Sequence, residues 1–220
     1  MRAEHPERVY RQFVDRALLE TWDDPLTFRE ERLLALLRPK STVLSVGSGR
    51  GREVQFLLER GCSVVCLDPS PVAARILQKR FGKRVALIRG RLGEGRGAPV
   101  QGPFGAVVAL GNVTAGLLTS RLQRGFFSQW AELLQEGCVG VLDLVLAEDG
   151  QKRVCFRYPL PSGKGVEGVS WRPSKLRAEE LLKNSGLSFR WFDWGEDRWG
   201  LACRRLGNSP SFSSSWTGKG

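Results

Sequence analysis

The chain has 220 residues, enough for one ordinary α/β domain and too few for a second full one. Apolar residues make up 41%, enough for a real core. Yet no run approaches the roughly 18 to 20 apolar residues of a membrane span, and the opening MRAEHPERVYRQF has no apolar stretch of the secretory-signal kind. The net charge of +11 is uneven: residues 1–40 balance at zero, 41–105 carry +7, 106–150 carry −3 and 151–220 carry +7.

In chain order, ERVYRQFVDRALLE (7–20) places Val9, Phe13, Ala17 and Leu18 at helical spacing. After the break TWDDP, residues 27–37 do the same with Phe28, Leu33, Leu36 and Leu37. Residues 42–46 (TVLSV) are a short apolar run ending in glycines, as in a buried parallel strand. Strands and helices then alternate. EVQFLLERG is a helix closed by Gly61, and SVVCLD is a strand. Ser70 and Pro71 open a helix as N-cap and first residue, and Gly82 ends it. RVALI (84–88) is the third strand, followed by a glycine-rich loop over 90–103, and FGAVVAL (104–110) is the fourth. Residues 119–136 form a helix with Leu122, Phe126, Trp130, Leu133 and Leu134 inward, stopped by Gly137. CVGVLDLVL (138–146) is the fifth strand. A helix over 173–186 precedes two last strands, 187–193 and 198–206, joined by the turn WGED. The Ser/Gly-rich tail 207–220 has the composition of a disordered segment. Alternating β and α elements imply a doubly wound parallel sheet, with the two final strands antiparallel to each other.

His5 is the only histidine. That removes Ser-His-Asp and Cys-His nucleophilic mechanisms and histidine-rich metal sites. The five cysteines, Cys62, Cys66, Cys138, Cys155 and Cys203, form no C-x-x-C pair, and their odd number argues against a disulfide framework. They read as buried small hydrophobes in a reducing cytoplasm. Asp143 lies inside the fifth strand without neighbouring acidic ligands, so no catalytic metal is expected.

The chemistry is signalled by VLSVGSGRG (43–51). Gly47, Gly49 and Gly51 end a strand and open a helix, where a tight bend lets a ligand approach the backbone and a helix N-terminus offers free N–H groups. The dinucleotide pattern G-x-G-x-x-G would need glycine at Arg52, and no G-K-[ST] of a P-loop follows. Asp68 ends the second strand, where a carboxylate can accept both hydroxyls of a ribose; the alternative is a charge at the N-terminus of the next helix.

With these residues the sequence resembles the class I S-adenosylmethionine-dependent methyltransferase family over residues 40–206. VLSVGSGRG looks like its first motif and VVCLDPSP like its second-strand acidic motif. FGAVVALGNVT looks like its fourth-strand motif in the form seen in glycine N-methyltransferase-like small-molecule enzymes. The stretch from Ser174 to Leu206 looks like the reversed last strand and its approach. The chain departs from the family at Ser45, where Asp or Glu is usual, and at Gly90-Arg91, where an acidic residue often lies near the adenine.

The resemblance implies a seven-stranded, mostly parallel sheet with a reversed last strand, and S-adenosylmethionine held by Gly47, Ser48, Gly49, Gly51, Asp68, Pro69, Leu110 and Gly111. It implies an N-terminal helical lid over residues 1–39, with Tyr10, Phe13 and Trp22 above the cofactor; the alternative is an extra packing helix on the sheet edge. Asn112 and Thr114 would lie where methyl and acceptor meet; their alternative role is loop capping. Methyl transfer by in-line displacement needs positioning more than a general base. A small-molecule acceptor is the first expectation. G-N-V-T lacks the D/N-P-P-Y/F pattern of base amino-group methylation. The alternatives are RNA, drawn by the basic surface, and a non-catalytic binding module of the same fold. The arginine excess over lysine, 26 to 8, is also what arginine-rich composition alone would give. Trp171, Trp191, Trp194 and Trp199 read as core packing, with an acceptor wall as the alternative.

Overall fold

The computed structural model describes residues 6–20, 25–95, 99–148, 152–163 and 165–206. The expected roles of His5 and Trp22 and of the tail 207–220 fall outside them.

Two helices lead the chain, α1 (Pro6–Glu20) and α2 (Phe28–Leu34). The alternating body follows: β1 (Thr42–Val46), α3 (Arg52–Glu59), β2 (Ser63–Asp68), α4 (Pro71–Phe81), β3 (Val85–Arg89), β4 (Ala106–Ala109), α5 (Ser120–Leu133) and β5 (Val139–Val145). Then come a hairpin of β6 (Lys152–Pro159) and β7 (Gly165–Arg172), the helix α6 (Lys175–Asn184), and the strands β8 (Leu187–Asp193) and β9 (Arg198–Arg205). The main sheet has the order β3-β2-β1-β4-β5-β9-β8. Its first five strands are parallel and β9 runs antiparallel to both neighbours, as the sequence predicts.

Each face of the sheet buries its own core. Leu44, Val107 and Leu142 pack under α5 and α6 with Phe126, Trp130 and Leu182. Val43, Val64 and Val108 pack under α2 and α3 with Leu33, Leu34 and Leu57. Trp171 and Trp194 are buried in these cores; Trp191 and Trp199 pack edge to face at 5.7 Å with Lys175 above them.

Three expectations change. First, α2 ends at Leu34, and Phe28 and Leu36 face solvent (71% and 41% exposed). The inward stripe is Glu30, Leu33, Leu34 and Leu37, because Glu30 is drawn in by two arginines described below. With this stripe α2 packs into the core of the sheet. Second, Cys155 is exposed while the other four cysteines are buried, since β6 turns Arg153, Cys155 and Arg157 outward. Third, the β6–β7 hairpin is an element the sequence reading passed over. It pairs antiparallel from Lys152↔Arg172 to Pro159↔Gly165 as a separate two-stranded sheet. One of its faces buries Val169 and Trp171 in the main core, and the other carries Phe156 and Tyr158 toward α1.

α1 therefore spans the C-terminal ends of the parallel strands. Phe13 and Ala17 pack on the hairpin with Leu160 and Val166, and Leu18 packs on Val72 and Ala73 of α4.

Candidate active site

The parallel strands end together beneath α1, around a cavity of about 650 Å³. At one end lies the turn after β1. Gly47 has φ +65°, and a Cβ there would stand 2.6 Å from Val113, so no side chain fits. Ser48 and Gly49 face the cavity. Gly51 does not line it: its N–H is donated to the Ser48 carbonyl at 2.7 Å, and it begins α3.

Asp68 closes β2 beside this turn and is 7% exposed. Its Oδ2 accepts the Gly49 N–H at 2.9 Å and its Oδ1 the Ser70 N–H at 2.8 Å. Each oxygen keeps a lone pair for a further donor. Burial raises its pKa, opposed by these two N–H groups. Pro69, Leu110 and Gly111 also line the cavity.

Ser45 lacks the carboxylate usual at its position, and Glu53 supplies one from α3. Ser45 Oγ donates to Glu53 Oε1 at 2.5 Å and lies 2.7 Å from Ser48 Oγ. Glu53 lines the cavity and is 5% exposed; burial pushes its carboxyl up to about 7, against the Ser45 hydrogen bond. Its signal was legible as the acidic residue just after the last turn glycine.

At the end of β3, Arg91 donates to the Gly116 carbonyl and to Glu94 at 3.4 Å. Beside Gly116 stands Tyr10 of α1, whose phenol burial pushes up to about 12, with Arg91 opposing. Arg91 thus braces the wall of the cavity from the side the sequence expected to carry an acidic residue.

After β4, Asn112 adopts φ +57° and lines the cavity; its N–H is donated to Asp143 Oδ1 at 2.8 Å. Its buried Oδ1 has no hydrogen-bond partner among the described residues. Thr114 is 1% exposed and off the cavity, in the short 3-10 turn Val113–Gly116. Of the two candidates, only Asn112 faces the space where a ligand could sit.

Behind Asn112 lies a buried charge network that no sequence motif announced. Arg198 donates to Asp143 Oδ2 at 2.9 and 2.7 Å and to Glu30 Oε1 at 3.1 Å, and Arg52 reaches Glu30 at 3.1 Å. Burial alone would raise the Glu30 pKa; the hydrogen bonds of Thr27 and the charges of Arg52 and Arg198 outweigh it and hold it low. The members lie 22 to 168 residues apart, so only folding assembles them.

The far wall of the cavity is aromatic. Phe13 of α1 meets Phe156 at 4.9 Å edge to face and Tyr158 at 5.7 Å. A Cβ at Gly168 would lie 2.5 Å from Phe156 and 3.1 Å from Phe13, so the close approach of helix and hairpin needs glycine there.

A glycine turn after β1, a carboxylate ending β2 and a reversed β9 in a Rossmann-like sheet are the features on which the sequence resembles the methyltransferase family. Residues 43–137 match the family model described as a methyltransferase domain. No curated protein sequence matches. Among solved structures, the DhpI–SAM–HEP complex is similar at 16% identity over 93% of this chain and 100% of that one, with a TM-score of 0.70. The 1,6-didemethyltoxoflavin-N1-methyltransferase of Burkholderia thailandensis is similar at 18% over 94% and 93%, with a TM-score of 0.64. The glycopeptide N-methyltransferase MtfA is similar at 15% over 83% and 100%, with a TM-score of 0.62. These likenesses concern the fold. With the family match over residues 43–137, they give the chain a methyltransferase-like fold.

Proposed function

We propose that this protein methylates a small-molecule acceptor enclosed beneath α1. The observation that carries the reading is one continuous cavity lined by the glycine turn and Asp68 at one end and by Phe13, Phe156 and Tyr158 at the other. An acceptor in the second half would face a cofactor in the first.

The residues fit S-adenosylmethionine. The turn at Gly47 to Gly49 offers backbone without side chains, Asp68 retains lone pairs for ribose hydroxyls, and Glu53 offers a carboxyl to a cationic amine. Pro69, Leu110 and Gly111 complete that half. When bound, the cofactor supplies a sulfonium methyl group, and the acceptor's lone pair forms the new bond to carbon as the carbon–sulfur bond breaks. Asn112 Oδ1, a buried acceptor without a partner among the described residues, orients a donor at the junction of the two halves. α1 excludes water, as lids do.

The enclosed geometry favours this reading over RNA. The three arginines nearest the glycine turn are held internally: Arg50 by the Leu18 carbonyl of α1, Arg52 by Glu30, and Arg91 by the Gly116 carbonyl. Calorimetry with S-adenosylhomocysteine and with NAD tests the cofactor assignment. The first is expected to bind and the second not; tight NAD binding with no binding of the methyl-cofactor forms would overturn it.

A further inference from the structure

Seven arginines and three acids line the cavity. The acids are Asp15, Glu53 and Asp68; Glu53 and Asp68 flank the glycine turn, and Asp15 bonds Ser70 next to it. The end at the close of β5 is lined by Arg172 and Arg198. Chain geometry brings these two together there. Arg198 stands across from Val145, and the carbonyl of Pro173, next to Arg172, accepts the Ala147 N–H at 2.9 Å.

Of these two guanidiniums, one is already neutralised: Arg198 is shared between Asp143 and Glu30. Arg172 is partly buried and lines the cavity, yet no carboxylate among the described residues pairs with it. A partly buried cation without a counter-ion is available to an anionic ligand in the cavity. Arginine presents a planar fork suited to a carboxylate or phosphate.

The same strand face supplies the rest of a binding site. Phe156 lies opposite Gly168, and Ser170 and Arg172 follow at two-residue steps on that face. From Gly168 to Arg172 is four residues, about 13 Å of strand. The arginine side chain covers part of that span and leaves room for one or two fused rings against Phe13, Phe156 and Tyr158. Aromatic walls of this kind hold flat apolar bodies.

We propose that the acceptor is a flat aromatic molecule carrying a carboxylate or phosphate-type oxyanion, with the rings against Phe13 and Phe156 and the oxyanion on Arg172. The inference rests on the cavity being the acceptor site of a methyl transfer. It specifies the chemical class of that acceptor, which the fold leaves open.

The test begins with full-length protein saturated with S-adenosylhomocysteine, saturation being checked by calorimetry. Failure at that step overturns the methyl-transfer reading before the acceptor is addressed. Four matched probes are then titrated: 2-naphthoate, 2-naphthyl phosphate, 2-naphthamide and 2-naphthylmethylammonium. At least one anion is expected to bind about tenfold or more tightly than the amide, in keeping with a charge-assisted hydrogen bond, and the ammonium more weakly than the amide. R172Q should bring the anions to the level of the amide and leave S-adenosylhomocysteine affinity unchanged, and R172K should restore part of the difference. If R172Q does not fold, the wild-type ranking of the four probes decides alone. Equal binding of anion and amide, no binding of either anion, or undiminished anion affinity in folded R172Q overturns the proposal.

Discussion

Glu53 brings a buried carboxylate to the glycine turn from α3, where β1 carries Ser45. Ser45 is reduced to a hydrogen-bond donor that fixes it. The cost falls on the unliganded protein. Its pKa is raised from 4.5 to about 7 by burial, so the folded state binds more protons than the unfolded one between these values. Stability therefore falls as pH rises through that window, by up to about 3 kcal/mol above it. E53Q should raise the melting temperature of the ligand-free protein at pH 8 and leave it unchanged at pH 4. Equal melting temperatures at both pH values would show that the carboxylate is not strained by burial. Asp68 has a different balance, because two backbone N–H groups engage it. D68A should weaken S-adenosylhomocysteine binding by about 2 kcal/mol, the scale of hydrogen bonds to a charged group, read by calorimetry on folded protein. Unchanged affinity would reduce Asp68 to a brace for the turn.

α1 is held by few but specific links. The N-cap hydroxyl of Ser70 accepts from the N–H groups of Val72 and Ala73 and donates to Asp15 of α1, so the start of α4 and α1 share one hydroxyl. At the other side Phe13 is 5% exposed between Phe156 and Tyr158. F13A removes a buried ring, a change costing about 3 to 5 kcal/mol in a core. Here much of that loss should fall on the docking of α1 and not on the sheet, which buries its own two cores. Limited proteolysis should cut F13A within residues 6–20 faster than the parent chain, while the remaining fragment keeps its melting transition. Loss of the whole transition would mean that α1 is integral to the fold. G168A tests the same contact from the hairpin side, since its Cβ would collide with Phe156, and should also speed that cleavage.

Among the described residues, the basic side chains nearest the glycine turn are held by the protein itself. Arg50, Arg52 and Arg91 are bound inward, and Arg80 donates to the Arg50 carbonyl while lying over Phe81. Total cellular RNA should bind weakly in a filter assay, with little change between low and moderate salt, because few phosphates would be neutralised. Tight binding with a steep salt slope would restore RNA as the acceptor. The alternating body of the domain was legible because each element there follows from its own residues. Buried parallel strands read as apolar runs, Ser70-Pro71 and Gly82 mark the bounds of α4, and a tight turn requires glycine at 47. The β6–β7 hairpin carried a legible signal too, the alternation of Arg153, Cys155 and Arg157 with Val154, Phe156 and Tyr158. What that alternation faces was not in the sequence, since it depends on where α1 lies. The same holds for the pairing of Glu30 with Arg198 across 168 residues, and for Arg172 lining the cavity with no carboxylate paired to it among the described residues. The glycine-turn half of the cavity could be read from the residues alone, because a local turn and a strand end build it. The aromatic half could not, because its side chains come from α1, β5, the hairpin and β9, and their meeting is fixed by packing instead of spacing.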